Sequence, residues 1–360
     1  MLFKLIFQAT LGLAFSLSVY GAGLVDHEAS HETRMLAENL KRSAKTGFLF
    51  GQQNATSEGV GWRDKTTSHF CGDTCLVSGL HPAVYGWDFS DVFEKGEAAQ
   101  NRLREKIRQA YELGGVNTIS WHLLNPVTFG SPKDLTPACE RIRAGADLHE
   151  SFAETLDQLA HFLKKLVDKN GKSIPVILRP WHEANARWFW WGSRACSPET
   201  LKTLWQFTVE RLRDRNQIHQ LLYAFSPNWY PANGMRNWPG DNFVDIMGVD
   251  FYFFKQIALL QRLQFRSELL NTIALAHEKD KIAALTEVGY ESLPNPYWWT
   301  EVYLHTLTSA GISREIAYAM VWRNENAVHF YAPYPGQASV PDFLEMMRDP
   351  SSLFLEDIHF

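Results

Sequence analysis

The sequence predicts an α/β protein whose parallel strands close into a single (β/α)8 barrel. Eight short, nearly continuous apolar runs alternate with long amphipathic segments, which is the pattern of parallel strands covered by helices. Eight such repeats favour a closed barrel over an open, doubly wound sheet. No Gly-x-Gly-x-x-Gly motif follows an apolar run, although an open sheet that binds a dinucleotide would carry one.

The predicted strands and helices alternate in the order that a barrel requires. Strands are expected where apolar residues run together, at 47–50, 83–87, 116–121, 176–179, 221–225, 246–250, 283–287 and 317–322. Helices are expected where apolar residues recur at helical spacing, at 31–45, 97–113, 148–169, 198–213, 259–278 and 296–310. The connection 125–150 is rich in Pro, Gly and Cys, which predicts a constrained loop on the rim. The active site of such a barrel lies at the carboxyl-terminal ends of its strands.

Length and composition fit one catalytic domain, which we expect to cover residues 22–360. Hydrophobic residues make up 45% of the 360 residues, so a large core can form. The formal charge is −5, the charges are interspersed and no basic stripe is present, which argues against nucleic acid as a partner. The chain has 13 tryptophans, and this aromatic excess gathers at the predicted strand ends.

Residues 1–21 have the features of a secretory signal peptide. Lys4 gives a weakly positive start to a mostly apolar stretch, and Val19 and Gly21 place small residues at positions −3 and −1 of a cleavage point. A membrane anchor is the alternative, but the stretch is short and no stop pattern follows it. We therefore expect a secreted monomer that has no membrane partner after cleavage.

The chain has four cysteines, Cys71, Cys75, Cys139 and Cys196. An even number in an exported chain predicts two disulfides, for which three pairings are possible. We favour Cys71–Cys75, because the short segment between them can close a tight loop, and then Cys139–Cys196. A zinc site is the alternative, but the spacing does not match paired Cys-x-x-Cys motifs and no histidine lies where such a site needs one.

Two glutamates, Glu183 and Glu287, each stand at the end of an apolar strand. A charge in this position is costly unless it has a function. Tryptophans at 181, 188, 190 and 191 surround Glu183, and indole faces suit the C–H surface of a sugar ring. Since two carboxyl groups are what glycoside hydrolysis requires, the pattern predicts a glycosidase without a metal or cofactor. Structural salt bridges, or a sugar-binding protein without catalysis, are the alternatives.

The neighbours of the two glutamates indicate different roles. Aromatic surroundings would raise the pKa of Glu183 and keep it protonated, as a general acid must be. Polar partners, among them Arg179 and Tyr252, would keep Glu287 ionised as the nucleophile. His182 is expected to hold Glu183 in place through a hydrogen bond.

Other strand ends supply candidates for contacts with the substrate. His122 would donate to a sugar hydroxyl, and Trp322 would form a flat floor beneath the sugar; a structural histidine and a core tryptophan are the alternatives. Trp188 and Phe225 would stack on the leaving-group sugar, although Phe225 is equally compatible with packing. The full set of predicted substrate-binding residues is His122, Arg179, His182, Trp188, Phe225, Asp250, Tyr252, Trp322 and Arg323.

These segments together resemble glycoside hydrolase family 26. The resemblance is strongest at residues 176–185 and 188–192, and it continues at 82–88, 249–252, 286–289 and 321–324. It implies a secreted, retaining β-1,4-mannanase on a (β/α)8 scaffold. In that comparison Glu183 matches the acid/base and Glu287 the nucleophile.

The resemblance also implies roles for the other residues of the cleft. The positions that match its substrate contacts are His122, Trp188, Tyr252, Trp322 and Arg323, while Phe225 and Asp250 match more loosely. The family also contains β-1,3-xylanases and mixed-linkage β-glucanases, so these substrates, and an exo action that releases mannobiose, stay open. The expected substrate is a β-mannan polysaccharide or manno-oligosaccharide.

Overall fold

The structure is a computed structural model that describes residues 23–64, 70–93, 95–254, 257, 259–358 and 360. The predicted signal peptide lies outside these residues. The predicted alternation of strands and helices is present throughout the described chain.

Within the described residues, eight parallel strands form a closed barrel in chain order. Their bounds are β1 Phe48–Gln53, β2 Val84–Asp88, β3 Val116–Ser120, β4 Val176–Arg179, β5 Leu221–Phe225, β6 Ile246–Phe253, β7 Ile282–Tyr290 and β8 Tyr318–Val321. The barrel is closed because β1 pairs with β2 on one side and with β8 on the other. The predicted (β/α)8 barrel is therefore confirmed.

Helices lie in the connections between successive strands, before β1 and after β8. They are α1 His31–Ala44, α2 Asp73–Ser78, α3 Ser90–Phe93, α4 Gly96–Glu112, α5 Cys139–Ile142, α6 His149–Lys164, α7 Pro198–Glu210, α8 Leu259–Glu278, α9 His305–Leu307 and α10 Val340–Arg348. A π-helical turn at Arg211–Arg215 extends α7, and another at Trp299–Leu304 precedes α9. 3-10 turns lie at Gly234–Asn237, Asp241–Phe243 and Leu355–Asp357. The start of α7 shows why the sequence folds here: Ser197 accepts a hydrogen bond from the Thr200 amide at 3.1 Å, and proline occupies the first helical position.

Alternate strand residues fill the barrel or pack against the helices. Leu49 lies in the inner cluster, whereas its neighbours Phe48 and Phe50 contact aromatic rings outside the barrel. The inner cluster also includes Leu36 and Leu40 of α1, which contacts β1, β5 and β7. α1 therefore closes one end of the barrel and leaves the carboxyl-terminal end of the strands free for a site.

Both predicted disulfides are present. Cys71 and Cys75 have their Cα atoms 5.2 Å apart, and those of Cys139 and Cys196 are 5.5 Å apart. The second disulfide ties α5, inside the predicted rim connection 125–150, to the segment that precedes α7. None of the helices in the described ranges combines the length and apolar character needed to cross a bilayer.

Candidate active site

Glu183 lies in a strained turn just after β4. The backbone of Trp181 and of Glu183 adopts the left-handed conformation, with φ of 51° and 53°. Non-glycine residues in this conformation cost roughly 1–3 kcal/mol each and persist only where neighbouring structure enforces them. The Glu183 amide donates to the Ser226 carbonyl at 2.8 Å, which ties the turn to the chain that follows β5. The fold thus stabilises an unfavourable backbone to place this carboxyl.

The carboxyl of Glu183 is buried and receives two hydrogen bonds. Trp188 Nε1 donates to one oxygen at 2.9 Å, and Asn228 Nδ2 donates to the other at 2.7 Å. Burial and the negative charge of Glu287 raise the pKa of Glu183 to about 7, against the lowering effect of those two donors. The carboxyl can therefore hold a proton near neutral pH.

Glu287, in β7, faces the same mouth with a different set of partners. Arg179 Nη2 forms an ion pair with one of its oxygens, and the Tyr252 hydroxyl donates to the other at 2.6 Å. Burial and the charge of Glu287 raise the pKa of Tyr252 well above its usual value, so this hydroxyl keeps its proton and donates. Of the three polar partners predicted for Glu287, Arg179 and Tyr252 are thus in contact with it, whereas the Thr286 hydroxyl donates to Asp250 instead.

Arg179 joins Glu287 to a second buried carboxyl group. Its Nη1 lies 2.9 Å from Asp250 Oδ2 and 3.1 Å from Ser226 Oγ. Burial opposes the charge of Arg179, but Glu287 and Asp250 outweigh burial and raise its pKa. Thr286 Oγ1 donates to the other oxygen of Asp250 at 2.7 Å. A permanently charged guanidinium therefore fixes the position of Glu287 from below.

A chain of two histidines and an aspartate forms another wall. His122 Nδ1 contacts Asp88 Oδ2, and its Nε2 lies 3.1 Å from His182 Nε2. Burial would raise the pKa of Asp88, but His122 and Ser90 lower it to about 2. Burial opposes protonation of His122, but the charge of Asp88 and its hydrogen bond to the ring nevertheless raise the pKa of His122. Burial and the charge of Arg179 lower the pKa of His182 well below its usual value. Of the two histidines, His122 therefore takes up a proton more readily, and its Nε2 faces His182.

Aromatic surface is available on two sides of the carboxyl groups. Trp188, after β4, is 39% exposed. Trp322, after β8, is half-buried, and its ring centroid lies 5.8 Å from that of His122. The next residue, Arg323, is also half-buried and pairs with Glu58 at 2.8 Å and Glu325 at 3.2 Å. These residues form a rim that a sugar chain can contact from either side.

The structure corrects the predicted role of Phe225. Ala224 faces the barrel interior, so Phe225 points outward, where its ring packs edge-on against Trp205 of α7 at 5.7 Å and against Trp238 at 5.2 Å. It is 4% exposed and cannot offer a face to a sugar.

Three other predicted contacts lie beneath the surface of the mouth. Arg179, His182 and Asp250 are at most 1% exposed, and the partners named above are protein groups. They can position residues that a substrate touches, but they offer no surface of their own. His182 pairs with His122, whereas we expected it to hold Glu183.

Several residues of the site are absent from the predicted set of substrate contacts. Asp88 ends β2 and Asn228 follows β5. Both therefore occupy the strand-end positions from which the other site residues were predicted. Tyr331 comes from the connection after β8, and its ring lies 5.6 Å from that of Tyr252. A side chain at Gly289 would clash with both tyrosine rings, so the glycine makes room for them.

A closed (β/α)8 barrel with two unlike carboxyl groups at its mouth defines the class of protein as a glycoside hydrolase. The chain belongs to glycosyl hydrolase family 26, whose sequence model matches residues 25–303. The family that the motifs resemble is therefore confirmed.

Curated relatives and solved structures agree with this family. Mannan endo-1,4-beta-mannosidase of Bifidobacterium adolescentis is 33% identical over 285 residues, which cover 73% of this chain and 27% of the relative. The enzyme with the same name from Thermothelomyces thermophilus is 27% identical over 287 residues, or 74% of this chain and 52% of the relative. The chain thus spans between a quarter and about half of the length of these two relatives. The structure of a family 26 β-mannanase from Bacteroides ovatus superimposes with a TM-score of 0.84 at 36% identity and covers 91% of this chain and 95% of that one.

Proposed function

We propose that this protein is a retaining endo-β-1,4-mannanase that cleaves mannan, glucomannan or galactomannan. The observation that carries the proposal is the contrast between the two carboxyl groups. Glu183 holds a proton near neutral pH, whereas Glu287 is paired with a guanidinium. A protonated acid beside an ionised carboxylate is what glycoside hydrolysis needs. Membership of family 26 supports retention by double displacement, and the names of the relatives support mannan as the substrate.

In the first step Glu287 attacks the anomeric carbon while Glu183 gives its proton to the departing oxygen. The glycosidic bond breaks, and an ester bond forms between the sugar and Glu287. Arg179 and Tyr252 each contact one oxygen of Glu287, so the attacking carboxylate is held in a single orientation. A retaining reaction calls for about 5–5.5 Å between the two carboxyl groups.

The second step reverses the role of Glu183. Formation of the ester removes the negative charge of Glu287, which is one of the two causes that raise the pKa of Glu183. The pKa of Glu183 therefore falls in the intermediate, and the carboxylate can take a proton from water. That water attacks the anomeric carbon, breaks the ester and releases a product with its original configuration.

The aromatic residues divide the cleft into two sides. Trp322 is proposed as the floor beneath the sugar that reacts, with His122 beside it as a further contact of that sugar. Trp188 contacts Glu183 and is proposed to stack on the first leaving-group sugar. Arg323, on the rim after β8, is proposed to contact the chain on the glycone side.

A polysaccharide panel tests the substrate, and paired variants test the roles. We expect hydrolysis of mannans, with long oligosaccharides among the early products as an endo action gives. Activity on β-1,3-xylan or mixed-linkage glucan without activity on mannan would contradict the substrate, and early release of mannobiose alone would contradict endo action.

Azide separates the two carboxyl roles. With an activated aryl β-mannobioside, Glu287→Ala should be rescued by azide to an α-azide product, because azide replaces the nucleophile. Glu183→Ala should give a β-azide, because azide attacks the intermediate on Glu287. Proton NMR measures the configuration of each product. A β-azide from Glu287→Ala and an α-azide from Glu183→Ala would show that the two residues have the opposite roles.

We further propose that the protein is secreted and monomeric. Two disulfides in a chain of this size support an oxidising compartment. Mass spectrometry of protein from the culture medium should show a mature chain that begins at residue 22, and light scattering should give the mass of one chain. Retention of the first 21 residues in the cell envelope would contradict export by cleavage.

A further inference from the structure

The connection after β5 presents an aromatic side chain that the proposed mechanism does not use. Tyr230 is 66% exposed, more than Trp188 on the neighbouring connection. Large aromatic side chains that remain exposed beside a catalytic cleft are candidates for contacts with a ligand.

The backbone of Tyr230 is tied to the acid/base through one intermediate residue. The Asn228 side chain donates to Glu183 at 2.7 Å through Nδ2 and accepts from the Tyr230 amide at 3.0 Å through Oδ1. Two residues of extended chain span at most about 7 Å, so Tyr230 lies close to the mouth.

A second asparagine fixes the same connection. Asn185, only two residues after Glu183 and 1% exposed, donates to the carbonyls of Asn228 and Pro231 at 2.7 Å each. Its side-chain oxygen accepts from the Asn228 amide at 2.9 Å. The connection is thus held in register with the turn that carries Glu183.

The ring of Tyr230 also contacts a neighbouring aromatic ring. Its centroid lies 5.6 Å from that of Trp229, which stacks on Phe251 of β6 at 4.7 Å. A side chain held in this way loses little conformational entropy when a ligand covers it. Tyr230 therefore combines exposure with a fixed position.

The order of the strands places Tyr230 on the leaving-group side of the cleft. β5 neighbours β4, which precedes Glu183 and Trp188, whereas Trp322 follows β8 on the other side of the barrel. The acid/base meets the oxygen of the leaving group, and Asn228 contacts that same carboxyl. A substrate chain that extends from the reacting sugar past Trp188 therefore reaches the connection after β5 next.

We propose that Tyr230 is a stacking platform for a leaving-group sugar beyond the one at Trp188. The proposal rests on the proposed function, because it takes the ligand to be a β-linked mannose chain. The same platform would bind an acceptor oligosaccharide. A hydroxyl of that acceptor attacks the anomeric carbon, the ester bond to Glu287 breaks and releases its carboxylate, and Glu183 takes the hydroxyl proton. Tyr230 thereby favours transfer to sugar over transfer to water.

Two substrates separate this role from a structural one. An aryl β-mannobioside ends at the first leaving-group position, whereas mannohexaose reaches beyond it. Tyr230→Ala should lower kcat/KM for mannohexaose by about twofold to tenfold and leave kcat/KM for the aryl substrate unchanged, since one aromatic contact contributes about 0.5–1.5 kcal/mol. The ratio of transfer products to hydrolysis products should fall as well.

Two further variants complete the experiment. Tyr230→Phe should behave like the unaltered enzyme, because stacking needs the ring and not the hydroxyl. Tyr297→Ala is the matched control, since Tyr297 is 61% exposed on the connection after β7 and has no role in the proposal. Melting temperatures show whether each variant is folded.

The outcomes distinguish the proposal from the function on which it rests. Equal losses on both substrates, or a loss in Tyr230→Phe as large as in Tyr230→Ala, would overturn the platform. An unchanged kcat/KM for mannohexaose in Tyr230→Ala would do the same. Absence of mannan hydrolysis by the unaltered enzyme would instead overturn the proposed function and the platform with it.

Discussion

The pH dependence of hydrolysis is the most direct test of the role of Glu183. Burial and the charge of Glu287 raise the pKa of Glu183 from the ordinary 4.5 to about 7. This difference corresponds to roughly 3 kcal/mol in favour of the neutral carboxyl. We expect kcat/KM to fall above about pH 7, where the free enzyme loses the proton that the departing oxygen needs. Initial rates on an unactivated manno-oligosaccharide between pH 4 and pH 10 measure this alkaline limb.

The contribution of Glu287 can be isolated with Glu287→Gln, which keeps the shape of the side chain and removes its charge. The pKa of Glu183 should fall below 7 in this variant, because one of the two causes of its elevation is gone. Carbon-13 NMR of labelled glutamate side chains measures the value in the inactive protein, and the double variant with Glu183→Gln identifies the signal. A pKa of Glu183 that stays unchanged or rises would refute the reasoning, as would an alkaline limb near the ordinary glutamate value in the unaltered enzyme.

Three further predictions concern stability and the support of Glu287. Arg179→Ala leaves two buried carboxyl groups without their cation and should lower the free energy of unfolding by about 3–5 kcal/mol; a loss below 1 kcal/mol in urea denaturation would show that Asp250 and Glu287 do not depend on Arg179. Glu183 keeps its proton to a higher pH in the folded chain than in the unfolded chain, so it lowers stability progressively between about pH 4.5 and pH 7. Glu183→Gln should therefore raise the free energy of unfolding at pH 8 by roughly 1–3 kcal/mol with little change at pH 4, and an equal gain at both pH values would contradict this linkage. Tyr252→Phe removes a hydrogen bond to a charged group and should lower kcat about tenfold to a hundredfold with little change in KM; a rise in KM alone would place Tyr252 in substrate binding instead.

The order of the strands was predictable from the sequence because each barrel strand is buried on both faces and reads as an unbroken apolar run. The residue where such a run ends also marks the mouth of the barrel, which is why Glu183, Glu287 and Arg179 could be placed together. The disulfide Cys71–Cys75 followed from proximity in the chain alone.

The direction in which a side chain points was harder to predict. Successive strand residues alternate between the interior and the helices, so a shift of one position moves Phe225 from the mouth to the side of α7. An unbroken apolar run has no polar and apolar alternation that would reveal this. Tyr331 lies in a connection without regular structure, and only the closed barrel brings it beside Tyr252.

The crosslink between Cys139 and Cys196 has a practical consequence for how the enzyme is produced. It joins the 125–150 connection to the segment that carries Trp188, and Trp190 reinforces this joint by bonding the Pro132 and Leu123 carbonyls at 2.9 and 2.8 Å. Protein made in a reducing cytoplasm would lack the Cys139–Cys196 disulfide, whereas the carboxyl groups of Glu183 and Glu287 would be unchanged. Batches from different expression hosts should then differ in specific activity although their carboxyl groups are the same, so thiol titration belongs beside every comparison of specific activity.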